Sequence, residues 1–272
     1  MIQSFKQKFL IAVMMITFMF AGSAEAVIDL GEGYNVPDGF SSILITSSDG
    51  KAIQHAVERI QEGGTVLLSG NFNLKNTINI KKNLTIKGLG NVVLDASKIN
   101  DRVIRCQGNI TLENLEITGG NSTNGGGVKL DGGDVKIINC KIYKNNALLA
   151  GGGLNSQAKT LTLTSCDISD NTALFFGLSG LGGGISLAGG KITMNDCNIS
   201  NNTAYYGGGL AAALSNINMN NCKITANNAT KHGGGVYITG ATLTAISCDI
   251  SGNTAPVSAD LDIESGSTYS FQ

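Results

Sequence analysis

Arg102 and Arg105 stand three residues apart, close in sequence to Asp95 and Asp101, and Arg59 is the only other arginine in the chain. A basic side chain that accepts a proton in its neutral form, beside carboxyl groups that bind or donate, is general acid/base chemistry. Asp95, Asp101, Arg102 and Arg105 are therefore the candidate catalytic group, with an ordinary charged loop as the competing reading. His55 and His232 have no Cys, Asp or His partner at a ligand spacing, so no metal site and no cofactor is expected. Glycoside hydrolysis and Ca2+ coordination both need two or three carboxylates around one point, and no such group stands out along the chain.

A second set of residues suits recognition better than catalysis. Leu148 and Leu149, then Leu174, Phe175, Phe176, Leu178 and Leu181, then Tyr205 and Tyr206 follow similar short motifs. Pointing outward they make an apolar and aromatic ridge, and such patches mark interaction sites for a sugar ring or a protein partner. Folded over a wall, they form a small satellite core instead. A third set is Thr160, Thr162, Thr164, Thr193, Thr242 and Thr244, spaced as an outward array that could meet ice or another regular surface. Lys136, Lys191, Asn216 and Asn218 interrupt it, and threonine favours strands in any case.

What positions these residues is a repeat. Glycine triplets begin at Gly125, Gly151, Gly182, Gly207 and Gly233, at steps of 26, 31, 25 and 26 residues. After each triplet come short runs in which every second residue is apolar, as in Leu161-Thr162-Leu163 and Ile192-Thr193-Met194. Period two means strands with one buried face, and three such strands in about 25 residues cannot close a core alone but can by stacking on the next unit. The expected fold is all-β, a single-stranded right-handed parallel β-helix of about seven coils with three walls. Two early coils are included by matching Ile78, Ile80, Leu84 and Ile86 to Ile110, Leu112, Leu115 and Ile117.

Stacking turns recurring residues into files. Asn145, Asn171, Asn202, Asn227 and Asn253 fall at one corner, where amides can bond one another and the turn backbone. Cys140, Cys166, Cys197, Cys222 and Cys248 fall at one inward position that Leu84 and Leu115 fill in earlier coils, which makes it a hydrophobic slot for free thiols; Cys106 lies outside the file. The outward residue beside that slot runs Glu116, Lys141, Asp167, Asn198, Lys223, Asp249, a column of alternating charge that neutralises itself. Ahead of the coils, residues 49–60 have an Asp at the N-cap position and apolar residues at 53, 56, 57 and 60, the pattern of a short amphipathic helix that caps the open end.

Among 272 residues the formal net charge is −1, which leaves no basic footprint for nucleic acid. Lys6 and Lys8 precede an apolar run from Phe9 to Phe20, and Ala24-Glu25-Ala26 has the small-x-small pattern of a cleavage site. Residues 1–26 are thus expected to be a signal peptide, residues 27–64 a lead with the capping helix, and residues 65–272 the β-helix. The run is too short to span a bilayer, and the mature chain has no other candidate. Export places the protein in the periplasm, at the cell surface or outside the cell.

The stretch "DGKAIQHAVERIQEGGTVLLSGNFNL" with "KNLTIKGLG" resembles the start of pectin-lyase-like right-handed β-helix proteins. The "GGG…C-x-I-x-x-N-[TN]-A" repeats are similar to those of polymorphic outer-membrane-protein adhesins, and together the two likenesses cover residues 49–255. The resemblance implies a β-helix acting in adhesion, with a polysaccharide or a cell-surface protein as partner. Through its pectin-lyase-like side it also implies a polysaccharide lyase or glycoside hydrolase as the alternative.

Overall fold

A run with every second residue apolar can bury one face only against other runs like itself. In the computed structural model, which describes residues 16–17, 26–29, 39–46, 50–174 and 180–272, these runs stack in parallel into an all-β solenoid of about nine turns with one short helix. A turn passes through four segments, as in Asp134–Ile138 on a first wall, Lys141–Tyr143 on a second, Asn146–Ala150 on a short corner sheet and Leu154–Ser156 on a third wall. The corresponding sheets have 12, 8, 5 and 8 strands. Inward residues from the three walls form one continuous core along the axis. Ala147, Ala173 and Ala204 make a separate small core under the corner sheet.

Three features differ from the sequence expectation. The turns number about nine rather than seven, because Ser42–Ile45 and Thr65–Leu68 join the stack ahead of the two early coils and Leu261–Ile263 and Thr268–Phe271 join it at the other end. The Asn-Thr-Ala corner is itself a strand of the fourth, short sheet. The early register is also offset: Leu84 and Ile86 pair with Ile110 and Leu112, while Ile78 and Ile80 pair with Ile104 and Cys106. The slot before Leu115 and the cysteines therefore belongs to Val92, and Cys106 is a buried third-wall residue.

Every interior turn is bent by left-handed residues. Asn139, Ser165, Asp196 and Asn221 have φ of 51 to 54° between the first and second walls. Lys144, Asp170, Asn201 and Ala226 have φ of 52 to 56° before the corner sheet. The third bend is the first glycine of each triplet, Gly207 at φ 62° for example. The second glycine is required for a different reason. A Cβ on Gly208 would sit 2.4 Å from the Asn228 carbonyl oxygen and 2.5 Å from that of Gly234, both on the next coil. Where no further coil follows, Ser258 takes the bend at φ 49° and Ala259 stands in the second glycine's place.

The asparagine file is continuous and buried. Asn202 donates from Nδ2 to Asn227 Oδ1 (3.0 Å) and to the Ile168 carbonyl (2.8 Å). Its Oδ1 accepts from the Asn171 backbone N–H (2.9 Å) and from Asn171 Nδ2 (3.0 Å). The file ends on Asp260, whose Oδ1 accepts both Asn253 donors at 3.0 Å. The cysteine file is also in place, with all six thiols free. Each thiol of the file donates to the carbonyl two residues earlier, at 3.2 Å from Cys197 to Asn195. Burial pushes the Cys140 thiol up to about 12, with the neighbouring Cys166 adding to the shift.

The helix, Gly50–Arg59, buries Ile53, Ala56 and Val57, with Ile60 just beyond it, as the sequence pattern predicts. It packs on Ile78–Ile80, Ser42–Ile45 and Thr65–Leu68. Gln54 places its side-chain amide against Asn79 as a strand would, accepting from the backbone N–H (2.8 Å) and donating to the carbonyl (3.3 Å). It thereby satisfies the first edge of the third wall. The first wall continues past the helix through Ser42–Ile45 and Ala26–Asp29. The proposed signal peptide, apart from residues 16–17 and 26, lies outside the described residues. Among them no helix is long and apolar enough to cross a membrane.

Candidate functional site

Along the corner sheet the inward alanines stay in register while the residues after them do not. Ala204 pairs with Ala229 and Tyr206 with His232, so one residue, Tyr205, faces two, Thr230 and Lys231. The same bulge sets Thr123 opposite Leu148 and Leu149. A bulge kinks the strand and re-aims its side chains. Leu148, Leu149 and Leu181 are accordingly about two-fifths exposed, and Tyr205 and Tyr206 are half-buried. Phe175, Phe176 and Leu178 lie outside the described residues.

The ridge ends in a compact aromatic cluster centred on Tyr206. Its ring lies 4.8 Å from Tyr205 at 82°, 5.0 Å from Tyr237 at 40°, and 5.5 Å from the His232 ring at 27°. Lys231 Nζ donates to the Tyr206 hydroxyl (3.0 Å) and stands 5.6 and 5.4 Å above the Tyr205 and Tyr206 ring centres. That hydrogen bond and the two phenols raise the Lys231 ammonium above its ordinary range. Burial, then the Glu264 carboxylate, raises the Tyr237 phenol, which remains a donor at neutral pH.

His232 is not the isolated histidine that the sequence suggests. Its Nδ1 is 2.8 Å from Asp262 Oδ2, and the ligand atoms of His232, Asp262 and Glu264 all lie within 4.8 Å of one another. Tyr237, Lys231, Asp262 and Glu264 went unseen as site residues because their neighbours are a coil away. The available signal was the likeness of Leu261-Asp262-Ile263 to Val236-Tyr237-Ile238, which pair residue for residue. Rings, an ammonium group, phenols and carboxylates around one corner can stack on a sugar's C–H face and bond its hydroxyls.

Of the four residues expected to do acid/base chemistry, Asp101 and Arg102 form an ion pair at 3.5 Å, while Asp95 and Arg105 have other partners. Asp95 lies on the second wall and accepts from the Ser97 N–H (2.7 Å). Asp101 accepts from the Arg102 backbone N–H (2.8 Å) and faces the Arg102 Nε at 3.5 Å, while Nη2 of the same guanidinium donates to Ser122 Oγ (2.7 Å). Arg105, on the third wall, bonds Asp131 at 2.5 Å. The physical reason is the stack itself, which makes residue 131, one coil on, a closer partner than residue 101. Asp131 also faces Lys129 Nζ at 3.6 Å, and Lys129 bonds Asn155. Burial lowers the Lys129 ammonium, Asp131 opposes that shift, and the charges of Arg102 and Arg105 add to it. A groove of about 640 Å3 lined by Gln54, Asn79, Lys81, Lys82 and Arg105 adjoins this group.

The remaining files stand in the expected register. Glu116, Lys141, Asp167, Asn198, Lys223 and Asp249 follow one another on the second wall. Lys141 Nζ is 3.5 Å from Glu116, a solvated pair of small energetic weight. On the first wall Lys136, Thr162, Thr193, Asn218 and Thr244 form one column, with Lys191 and Asn216 between Thr160 and Thr242 in the next.

No curated protein and no solved structure matches the chain significantly. The family model described as "Right handed beta helix region" matches residues 38–255, most of the chain. The parallel stacking, the four-segment turn and this match agree: the chain belongs to the right-handed β-helix family.

Proposed function

We propose that this is an exported, non-catalytic β-helix that serves adhesion by binding glycan on the corner formed by Tyr205, Tyr206, Tyr237, Lys231 and His232. The observation that carries the reading is the Tyr206 cluster, where the Tyr205, Tyr237 and His232 rings all lie within 5.5 Å of the Tyr206 ring at a partly exposed corner. Aromatic faces held rigidly by a stacked backbone bind with little loss of side-chain entropy. Leu148, Leu149 and Leu181 extend the surface along the axis, with length for several sugar units or for a cell-surface protein. The likeness of the repeats to polymorphic outer-membrane-protein adhesins supports the adhesive role. The pattern of residues 1–26 supports export to the periplasm, the cell surface or the medium.

A glycan array tests this reading. Wild-type protein is expected to bind a restricted set of saccharides, and Tyr206→Ala to lose them; an array with no saccharide bound, or one bound equally by the variant, overturns it.

A polysaccharide lyase is the second reading, and one observation favours it. Lys129 and Arg105 are register partners on the third wall, both against Asp131 and next to the groove of about 640 Å3, which sets a half-buried amine, a guanidinium and a carboxylate together as acid/base chemistry on an acidic polymer would need. Unsaturated products released from uronate polymers by wild type, and lost in Lys129→Met, would establish the lyase in place of the non-catalytic reading. The threonine wall is the weakest candidate surface, because Lys136 and Lys191 break it.

A further inference from the structure

Asp262 lies on the last third-wall strand, Leu261–Ile263, and Glu264 follows just past its end, where its backbone N–H still donates to the Ile238 carbonyl (2.9 Å); the extended backbone thus sets the two carboxylates, two residues apart, on the same side. One coil back, the corner strand Asn228–His232 ends with its imidazole against them. Among the described residues, the only cationic partner of Asp262 is His232, and Glu264 has no ion pair. Lys231, the nearest ammonium in sequence, is engaged with Tyr205 and Tyr206.

We propose that His232, Asp262 and Glu264 form a binding site for a divalent transition-metal ion. Donor atoms around such an ion, each about 2.1 Å from it, stand about 3 to 3.5 Å apart. Nδ1 of His232 and Oδ2 of Asp262, at 2.8 Å, are already near that spacing, with a shared proton where the metal would go. The Glu264 oxygen is no more than 4.8 Å from either, and this partly exposed side chain closes the gap by rotating about its own torsions. One imidazole nitrogen with two carboxylate oxygens is a borderline donor set that suits Zn2+ and its first-row neighbours, with solvent in the open positions.

Two of the ligands are held in advance. Asp262 is buried directly beside Tyr237 in the third-wall register, and the His232 ring is stacked on Tyr206. The ion would tie the final coil to the corner strand 30 residues earlier and fix the imidazole face of the aromatic cluster. It does not depend on that cluster binding glycan.

The test uses the full chain, stripped with chelator, then dialysed against ZnCl2, with bound metal counted by mass spectrometry. Wild type is expected to hold about one Zn2+ more than Glu264→Gln or His232→Ala, with affinity weakened at least about tenfold in each variant. The melting temperature should rise with Zn2+ in wild type alone. Glu264→Gln keeps the size of a partly exposed side chain, so its fold is secure even if His232→Ala loosens the last coil. Co2+ loading separates this site from the six thiols, because a histidine-carboxylate site gives no sulfur-to-metal charge-transfer band. Equal metal content in wild type and Glu264→Gln, or a Co2+ spectrum made up of thiolate bands, overturns the proposal and leaves an imidazole-carboxylate pair.

Discussion

Replacing Asn202 by alanine should be among the most costly single changes in the molecule. The residue has no exposed surface, and its amide makes four hydrogen bonds. Without it the Asn171 backbone N–H and one Nδ2 proton of Asn171 lose their acceptor, and the Ile168 carbonyl loses a donor. Asn227 Oδ1 keeps the Asn202 backbone N–H at 2.9 Å. Each buried group left unpaired costs about 1–3 kcal/mol, and a carbonyl that loses one of two partners sits at the low end. The sum, reduced by local relaxation, is about 3–5 kcal/mol. Asn253→Ala should cost less, about 1–2 kcal/mol, because the end of the file lies near solvent and water can replace the lost bonds. Asn202→Asp should not rescue the site. A carboxylate accepts from Asn171 but cannot donate to Ile168, and it faces the Asn227 oxygen. Asp260 is tolerated at the end of the file because it only needs to accept. Urea unfolding followed by circular dichroism gives the global cost. A repeat array can open in parts, so exchange of the Asn171 amide proton gives the local one. If Asn202→Ala costs no more than Asn253→Ala, the file is not a buried, mutually satisfied network and this reasoning fails.

Gly208→Ala should destabilise by about 2–4 kcal/mol through its contacts with the Asn228 and Gly234 oxygens, whereas Ala259→Gly should change stability by less than about 1 kcal/mol; equal effects in urea would show that space between coils is not what demands glycine. A thiol raised to about 12 carries almost no thiolate near neutrality, so Cys140 in the native protein should resist a disulfide reagent at pH 8. Partly exposed Cys248 should react first and all six only after unfolding; rapid native labelling of Cys140, Cys166 or Cys197 would contradict their burial.

Where the chain repeats itself, the structure was legible. The glycine triplets set the phase of five coils, and with it the files at Asn145 to Asn253 and Cys140 to Cys248. Where punctuation stops, the phase slips. Before Gly125, alternation alone does not distinguish one wall from the next, and it aligns Leu84 with Leu115, whereas the structure pairs Leu84 with Ile110. At Ser258-Ala259-Asp260, which stands where a triplet would, no further coil packs on top and the steric demand for glycine disappears. That loss of signal hid the pairing of Tyr237 with Asp262, and with it the surroundings of His232. The corner sheet looked like a turn because a strand such as Thr172–Ala173 is two residues long. Arg105 was matched to carboxylates near it in sequence, although a solenoid makes Asp131, 26 residues on, its neighbour.

The central functional claim is that a saccharide settles on Tyr206 and the rings around it. The chain has no tryptophan, so tyrosine emission can be followed directly during a titration with the saccharide that an array selects. The account predicts a saturable change in wild type and in Tyr269→Ala, whose residue lies on the last strand of the first wall and not on the corner sheet or the third wall, and none in Tyr206→Ala of unchanged circular dichroism. An undiminished titration in Tyr206→Ala, or its loss in Tyr269→Ala, would contradict it.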